Sequence, residues 1–413
     1  MKIVADFHIH SKYSRATSPQ MDLENIDRWA GWKGINLVGT GDFTHPFWFS
    51  EIKNKLKEKM PGIYALEGKE TNFILTAEIS SIYSEGGKVR KNHNVIFAPS
   101  IATVEKINNR LGSIGNLYAD GRPILGLSSY DLLKIILEID EKCILMPAHI
   151  WTPWFSLFGS NSGFDSIKEC FRDLSDKIYA VETGLSSDPP MNWRLSQLDP
   201  ITLISCSDAH SPANLGRELT VFDLPKLSYE EIYSAIKKKD PKRILYTVEF
   251  FPEEGKYHFD GHRNCGIRFS PSETKKHNQL CPKCGKLITV GVLNRVEKLA
   301  DRPEGFKPKN AIPYKSLVQL DQVIAESLGV RTASKKVLEE YQKLISAIGN
   351  ELDILLETPL EKVASFTLSK IVDGIKRVRE GKICINPGFD GEFGKVTVFN
   401  DKDETQKRQT ALF

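Results

Sequence analysis

The sequence predicts an α/β fold. Over roughly the first 250 residues, apolar runs of four to six residues alternate with helix-like segments about seven times. Six of those runs also carry His, Asp or Glu at an edge. Strand then helix, repeated, implies mainly parallel strands in a barrel or an open sheet. Both architectures place active sites at the carboxyl ends of strands. The polar edges therefore predict one site fed by many strands.

The first run, Ile3-Val4-Ala5, leads into Asp6-Phe7-His8-Ile9-His10. Residues two apart in a strand point the same way, so both imidazoles face one spot. Thr40-Gly41-Asp42 follows Ile35-Asn36-Leu37-Val38, and Glu78 follows Phe73–Ala77. His93 precedes Asn94-Val95-Ile96-Phe97, which hints at an antiparallel strand or an irregular barrel. His149 follows Cys143–Met146, and Asp208-Ala209-His210 follows Ile201–Ile204. Histidines and carboxylates gathered from six strands predict a polynuclear metal site.

Helices are expected at Leu23–Trp32, Glu51–Lys59, Ser129–Glu138, Ser166–Leu174 and Ser228–Lys239. The last opens with a Ser228/Glu231 capping box. Pro252-Glu253-Glu254-Gly255 punctuates the end of this catalytic domain, residues 1–255. Residues 256–300 form a short, polar, cysteine-containing module. Residues 301–400 turn helical: Leu317, Leu320, Ile324 and Leu328 keep 3–4 spacing, as do Leu338 to Leu356 and, after Pro359, Val363 to Val378. Lys395–Phe399 reads as a late strand. Residues 401–413 are charged and read as a flexible tail.

The chain's 413 residues, 40% hydrophobic and 26% charged, suit a soluble protein of two or three domains. No apolar stretch reaches the length of a membrane span, and the start lacks a signal-peptide pattern. Seven cysteines, three of them in a metal-type cluster, point to the reducing cytoplasm. Net charge is +3, but the segments 1–240, 241–345 and 346–413 carry −3, +7 and −1. The basic middle segment suits a polyanion such as nucleic acid.

His262-x-x-Cys265 and Cys281-x-x-Cys284, with fifteen residues between the pairs, have the spacing of a closed structural zinc site. His258 and His277 lie near enough to compete for the fourth position, but His262 has the two-residue gap. Cys143, Cys170, Cys206 and Cys384 read as packing residues.

In their order, His8-x-His10, Thr40-x-Asp42, Glu78, His93, His149 and Asp208-x-His210 resemble the polymerase and histidinol phosphatase (PHP) superfamily. That resemblance implies an irregular seven-stranded β/α barrel and phosphoester hydrolysis at a two- or three-metal centre. It implies His8 and His10 as ligands of one ion, Glu78 as a bridge, His93 and His149 on a second ion, and Asp208 and His210 completing the cluster. Two positions depart from the pattern. Arg15 stands near a usual Asp and could clamp a phosphate, and Asp42 stands where a His is common. Asp208, Glu78, Asp42 and Arg15 are the expected catalytic groups, with Asp42 also a ligand. Mixed His/carboxylate ligation suits zinc or manganese better than a dedicated magnesium site, although magnesium could serve in catalysis. One further zinc belongs to the module.

Barrel, zinc module and helical end together resemble the endonuclease Q branch of the superfamily. Stretches such as Asn116–Leu125 with its Asp-Gly-Arg turn, Ala148–Trp154 and Glu182–Met191 carry the likeness. It implies nicking of DNA 5′ of hypoxanthine, uracil, xanthine and abasic sites, with 3′-hydroxyl and 5′-phosphate ends. A flipped base needs a pocket, and Trp151, Trp154 and Asn161 are its candidates. Glu182 and Asp188 sit near another strand end without an assigned role. Two other readings are a small-molecule phosphatase and an inactive scaffold that binds DNA. The final Gln409-Thr410-Ala411-Leu412-Phe413 resembles half of a sliding-clamp-binding box, making the clamp a candidate partner.

Overall fold

The structure, a computed structural model, describes residues 1–400. The tail and the clamp-box resemblance thus lie outside the described residues. The rest is a mixed α/β fold around a central sheet, with helices gathered at the C-terminal end.

Strand β1 (Lys2–Asp6) pairs in parallel with β2 (Leu37–Gly39). The hairpin β3–β4 (Leu56–Met60, Ile63–Leu66) edges the start of β5 (Asn72–Glu85), which lies parallel to β2. β6 (Lys88–Ala98) runs antiparallel to β5, β7 (Ile124–Leu125) flanks β5, and β8 (Ile144–Pro147) is antiparallel to β6. β9 (Ala180–Glu182) and β10 (Thr202–Ile204) form a separate parallel pair. β11 (Leu219–Asp223) pairs antiparallel with β1 on one side and β12 (Ile244–Glu249) on the other.

The sheet is therefore mixed, where strand–helix alternation predicts mainly parallel pairing. Gly86 and Gly87 explain one of the antiparallel pairings: both take left-handed φ (59° and 72°) in a two-residue turn that folds β6 straight back on β5. His93 consequently lies inside a long antiparallel strand rather than ahead of a short one.

The strands curl around a buried interior. Phe7 packs on Phe97 and Phe222, with ring centroids 5.2 and 5.9 Å apart, among Ile3, Ala5, Ile144 and Ile204. Among the described residues the ladder does not run from β8 to β9 or from β10 to β11. A few bonds outside the ladder cross those seams, among them Ile150 N to Glu182 O, Ser205 N to Thr220 Oγ1 and Thr220 Oγ1 to Ser205 O.

The helix Leu23–Lys33 is capped by the Asp22 side chain at its start and by Gly34 (φ 85°) at its end. The second helix begins earlier than expected, at Pro46, and stops at Lys55, because Leu56–Met60 is taken into the β3–β4 hairpin. The expected Ser166–Leu174 helix is a short α-turn, Ile167–Phe171, followed by a 3-10 segment. At the C-terminal end the long helix expected to Leu356 is cut by Gly349 (φ 139°) into Lys335–Ile348 and Glu351–Leu356. Asn350 caps the second piece.

The cysteine-containing module holds a small hairpin, β13 (Asp260–His262) and β14 (Ile267–Phe269). Short β15 (Tyr314–Ser316) joins β12 at the sheet edge. The last hairpin, β16–β17 (Cys384–Asn386, Lys395–Thr397), turns back onto the module. There Asp390 accepts bonds from Arg263 N (2.6 Å) and Thr289 Oγ1 (2.5 Å). Residues 384–397 thus pack with the module as well as with the helices.

Candidate metal centre

Glu78 is the hub. Its carboxylate is buried near the middle of β5, and imidazoles approach both oxygens. His93 Nδ1 and His149 Nε2 lie 2.9 and 3.2 Å from Oε1. His8 Nε2 and His10 Nε2 lie 3.5 and 3.2 Å from Oε2. Asp208 Oδ1 stands 3.2 Å from His10 Nε2 and 3.6 Å from His210 Nδ1. The side chains fall into three overlapping groups: His8–His10–Glu78, Glu78–His93–His149 and His10–Asp208–His210.

The chain pays for this convergence in backbone conformation. His149 and Asp208 adopt left-handed φ values of 30° and 47° at strand ends, unusual for residues with a side chain. Gly184 is required beside the first of them, since a Cβ there would sit 2.5 Å from that of His149.

Three observations fit cations. His8 Nε2, His10 Nε2 and Asp208 Oδ1 are buried yet make no hydrogen bond, a costly state for polar atoms unless something fills the space between them. Although burial works against it, the carboxylates of Glu182, Asp42 and Glu78 raise His8, His10 and His149 above the ordinary imidazole value, so the pocket favours positive charge. Burial pushes His93 down to about 4, against the pull of Glu78, leaving it neutral and a competent nitrogen donor.

A second layer fixes the imidazoles. Glu182 receives His8 Nδ1 at 2.9 Å and also accepts His149 N at 2.7 Å. Asp42 receives His10 Nδ1 at 3.0 Å, and its other oxygen is filled by Ser11 N, Ser11 Oγ and Ser14 Oγ at 2.6–2.8 Å. This corrects the expectation for Asp42. It lies behind His10, on the ring edge opposite Glu78 and Asp208, with one oxygen on His10 Nδ1 and the other taken by three donors. It orients a ligand and is not placed to be one.

Arg15 is corrected too. Its side chain is 75% exposed and pairs with Asp120 at 3.3 Å. The basic group that reaches the centre is Arg122, whose Nη1 lies 3.0 Å from Glu78 Oε2. The strand-edge pattern does not point to Arg122; its signal in the sequence is the Asp120-Gly121-Arg122 turn. Gly121 is needed there, since a Cβ would come 2.3 Å from Asp42 Oδ2 and Ser14 Oγ.

Of the base-pocket candidates, Trp151 is buried and donates Nε1 to Asn192 Oδ1 at 2.8 Å, so it packs the interior and cannot stack on a base. Asn161 is exposed, lies outside the cavity wall, and is tied by its backbone to Pro153. Trp154 is 45% exposed and lines a largely apolar cavity of about 690 Å³ with Thr152, Leu185, Arg217 and Tyr257. The cavity adjoins the centre: Phe155, another wall residue, packs 4.9 Å from the His93 ring. Arg217 Nη2 donates to the Asp208 carbonyl at 3.2 Å.

In the module, ligand atoms of His262, Cys265, Cys281 and Cys284 all lie within 4.8 Å of one another, and His262 Nδ1 is 3.4 Å from Cys284 Sγ. The alternatives point elsewhere: His258 is buried against the cavity, and His277 stacks on Phe269 at 4.7 Å. Burial works against ionisation of Cys281, but the N–H groups of Lys283 and Cys284, then His262, bring its thiol down to about 6. A thiol ready to ionise is what a zinc ligand requires.

Two solved structures share this fold over almost its whole length. The crystal structure of the lesion-specific endonuclease PfuEndoQ from Pyrococcus furiosus superposes with a TM-score of 0.85 at 32% identity, covering 98% of this chain and 99% of that one. The chain belongs to the endonuclease Q family. The second structure is endonuclease Q in complex with a 27-mer duplex carrying an abasic lesion at the active site, again with a TM-score of 0.85 at 32% identity, covering 97% and 98%. A family model described as the MJ0043 C-terminal domain matches residues 319–382. The MJ0043 protein of Methanocaldococcus jannaschii is 33% identical over 300 residues, which are 70% of this chain. The chain spans only 37% of that relative's length. The YqxK protein of Bacillus subtilis is 28% identical over 96% of this chain and 99% of its own. Among the described residues no helix is long and apolar enough to cross a membrane.

Proposed function

We propose that the protein is a metal-dependent DNA endonuclease that nicks 5′ of deaminated bases and abasic sites, leaving 3′-hydroxyl and 5′-phosphate ends. The observation that carries this reading is the convergence of five imidazoles and two carboxylates, with three orphaned buried atoms, beside a cavity large enough for a base. The kinship with endonuclease Q, one member of which is known with an abasic-lesion duplex, supports the substrate class.

His8, His10 and Glu78 would hold one ion, Glu78, His93 and His149 a second, and His10, Asp208 and His210 a third. Zinc or manganese fits these donors, and such ions would supply a hydroxide at neutral pH and charge relief on the phosphoryl oxygens. The chain's own residues keep the donors in place. Glu182 and Asp42 hold His8 and His10 by their Nδ1 atoms, so that both Nε2 atoms face the phosphate site. The cavity under Trp154 and Tyr257 would receive the extruded base, with the exposed indole available to stack on it. The His262–Cys284 module would hold a structural zinc and carry the basic residues of segment 256–300 against the duplex backbone.

The test is incubation of the protein with duplexes carrying inosine, uracil, an abasic analogue or no lesion, with the cut mapped on a denaturing gel. Nicks on the 5′ side of the lesions are expected. Release of phosphate from small monoesters with every duplex left intact would overturn the reading.

A further inference from the structure

The loop Asn116–Arg122 joins a helix to β7 and carries one charged group into the centre. Arg122 is 26% exposed, and its backbone N–H is held by Asp120 Oδ1 at 3.1 Å. The same Asp120 oxygen accepts Arg15 N at 3.2 Å, and its partner oxygen pairs with the Arg15 guanidinium. Asp120 therefore satisfies Arg15 at the rim while fixing the turn that aims Arg122 inward. Of the Arg122 guanidinium, only Nη1 makes a hydrogen bond among the described residues, to Glu78. A guanidinium has five N–H donors, so most of its hydrogen-bonding capacity is left unused by the described residues.

Glu78 already stands between this guanidinium and the cluster and takes one of its donors, so it is the remaining donors that can meet a second anion. The anion of this reaction is the phosphodiester itself. We propose that Arg122 is a catalytic residue that holds a non-bridging oxygen of the scissile phosphate and the charge that builds on it. This rests on the endonuclease reading above. In the step, a water oxygen bonds to phosphorus, the P–O3′ bond breaks, and the 3′ oxygen takes up the proton given up by the water. Arg122 forms and breaks no covalent bond. Arginine suits the task because its planar donors meet phosphate oxygens in pairs.

Arg122→Gln and Arg122→Lys are compared with the wild type in three measurements. The first is single-turnover nicking of an abasic duplex. The second is metal content of the purified protein. The third is affinity for the duplex with either an ordinary phosphate or an uncharged methylphosphonate at the cut position. Loss of one preorganised donor at a developing charge lowers rates by ~100- to 1,000-fold, so Arg122→Gln is expected in that range and Arg122→Lys between it and the wild type. Metal content stays at the wild-type level. The wild type discriminates against the methylphosphonate more strongly than Arg122→Gln does, a difference that a purely structural role would not produce. Nicking by Arg122→Gln at the wild-type rate overturns the proposal. So does a defect that follows metal loss and is reversed by added metal, since Arg122 would then serve only to hold Glu78. If the wild type cuts no lesion duplex, the endonuclease reading fails. The same variants on bis(p-nitrophenyl) phosphate then decide the role of Arg122 separately: a retained defect supports it and wild-type turnover overturns it.

Discussion

Lys33 and Glu351 form an ion pair that pins the first helix of the sheet domain to the C-terminal helices. Lys33 Nζ lies 2.7 Å from Glu351 Oε2, with the side chains only 2% and 6% exposed. The carboxylate also accepts Tyr341 Oη at 2.7 Å and Leu320 N at 3.1 Å, so it is held by donors from three elements. Removing one partner of such a pair strands the other charge in the interior, which costs about 3–5 kcal/mol. Glu351→Ala is therefore expected to lower the melting temperature sharply. The double variant Lys33→Met/Glu351→Met should recover most of the loss, because no charge remains buried. If the double variant is as unstable as Glu351→Ala, the pair is not what joins these elements.

The roles of Asp42 and Glu182 separate from those of the ligands by a metal titration. Groups that orient a ligating imidazole typically change metal affinity by about 10–100-fold when removed. Asp42→Asn and Glu182→Gln should thus lose nicking activity at low metal and regain it as metal is raised. His8→Ala and Asp208→Asn should stay inactive at any metal concentration while keeping the fold. An Asp42→Asn variant that saturating metal fails to rescue would return Asp42 to the cluster as a ligand.

How much of this was legible in the sequence depends on what each residue's environment is made from. The side chains that meet at Glu78 border apolar runs in the sequence, even though Glu78 and His93 lie inside the long strands β5 and β6, and that pattern makes them readable. Asp42 occupied the same kind of position, yet which nitrogen of His10 it faces depends on the left-handed turn at residue 42 (φ 47°), and no spacing encodes that. Arg122 was hidden because it reaches the centre from a loop closed by Gly121 rather than from a strand end. The cluster of His262, Cys265, Cys281 and Cys284 was legible because it is built from two local pairs. The mixed sheet was not, although the Gly86-Gly87 pair marks the hairpin that reverses β6. Trp151 and Trp154 look alike in sequence; only the fold shows that one donates to Asn192 in the interior and the other faces the cavity.

Cys284→Ser or Cys281→Ser should remove about one zinc per chain, measured by elemental analysis. The local structure is expected to loosen with it, because metal binding supplies much of the folding energy of so small a module. The Arg263 and Thr289 bonds to Asp390 tie the last hairpin to the module, so proteolysis near residues 386–394 should accelerate in the same variants. Affinity for DNA and its dependence on salt should both fall, since the module carries part of the basic segment. Retention of the full zinc content in both variants would remove the four residues as a site.

Glu249 gives stability a pH dependence of definite sign. Its carboxyl is fully buried on β12, with Oε1 accepting Ser205 Oγ at 2.5 Å and Thr247 Oγ1, and Oε2 without a partner. Burial pushes it from 4.5 up to about 7, more than the two hydroxyls can offset, and nearby Asp188 adds to the rise. Glu218, buried close by and also raised, adds a second carboxyl of the same kind. A group with a raised folded value binds its proton more tightly in the native state. Its stabilising contribution is complete below about pH 4.5 and is lost as pH rises to about 7. At about 1.4 kcal/mol per unit the loss is about 3 kcal/mol. Glu249→Gln, permanently neutral, should therefore be less sensitive to pH than the wild type across this window. Relative to the wild type it should gain stability steadily from pH 5 to 7 and hold that gain above. Chemical denaturation at a series of pH values measures the difference directly, and parallel curves for the two proteins would show that Glu249 does not titrate in this range.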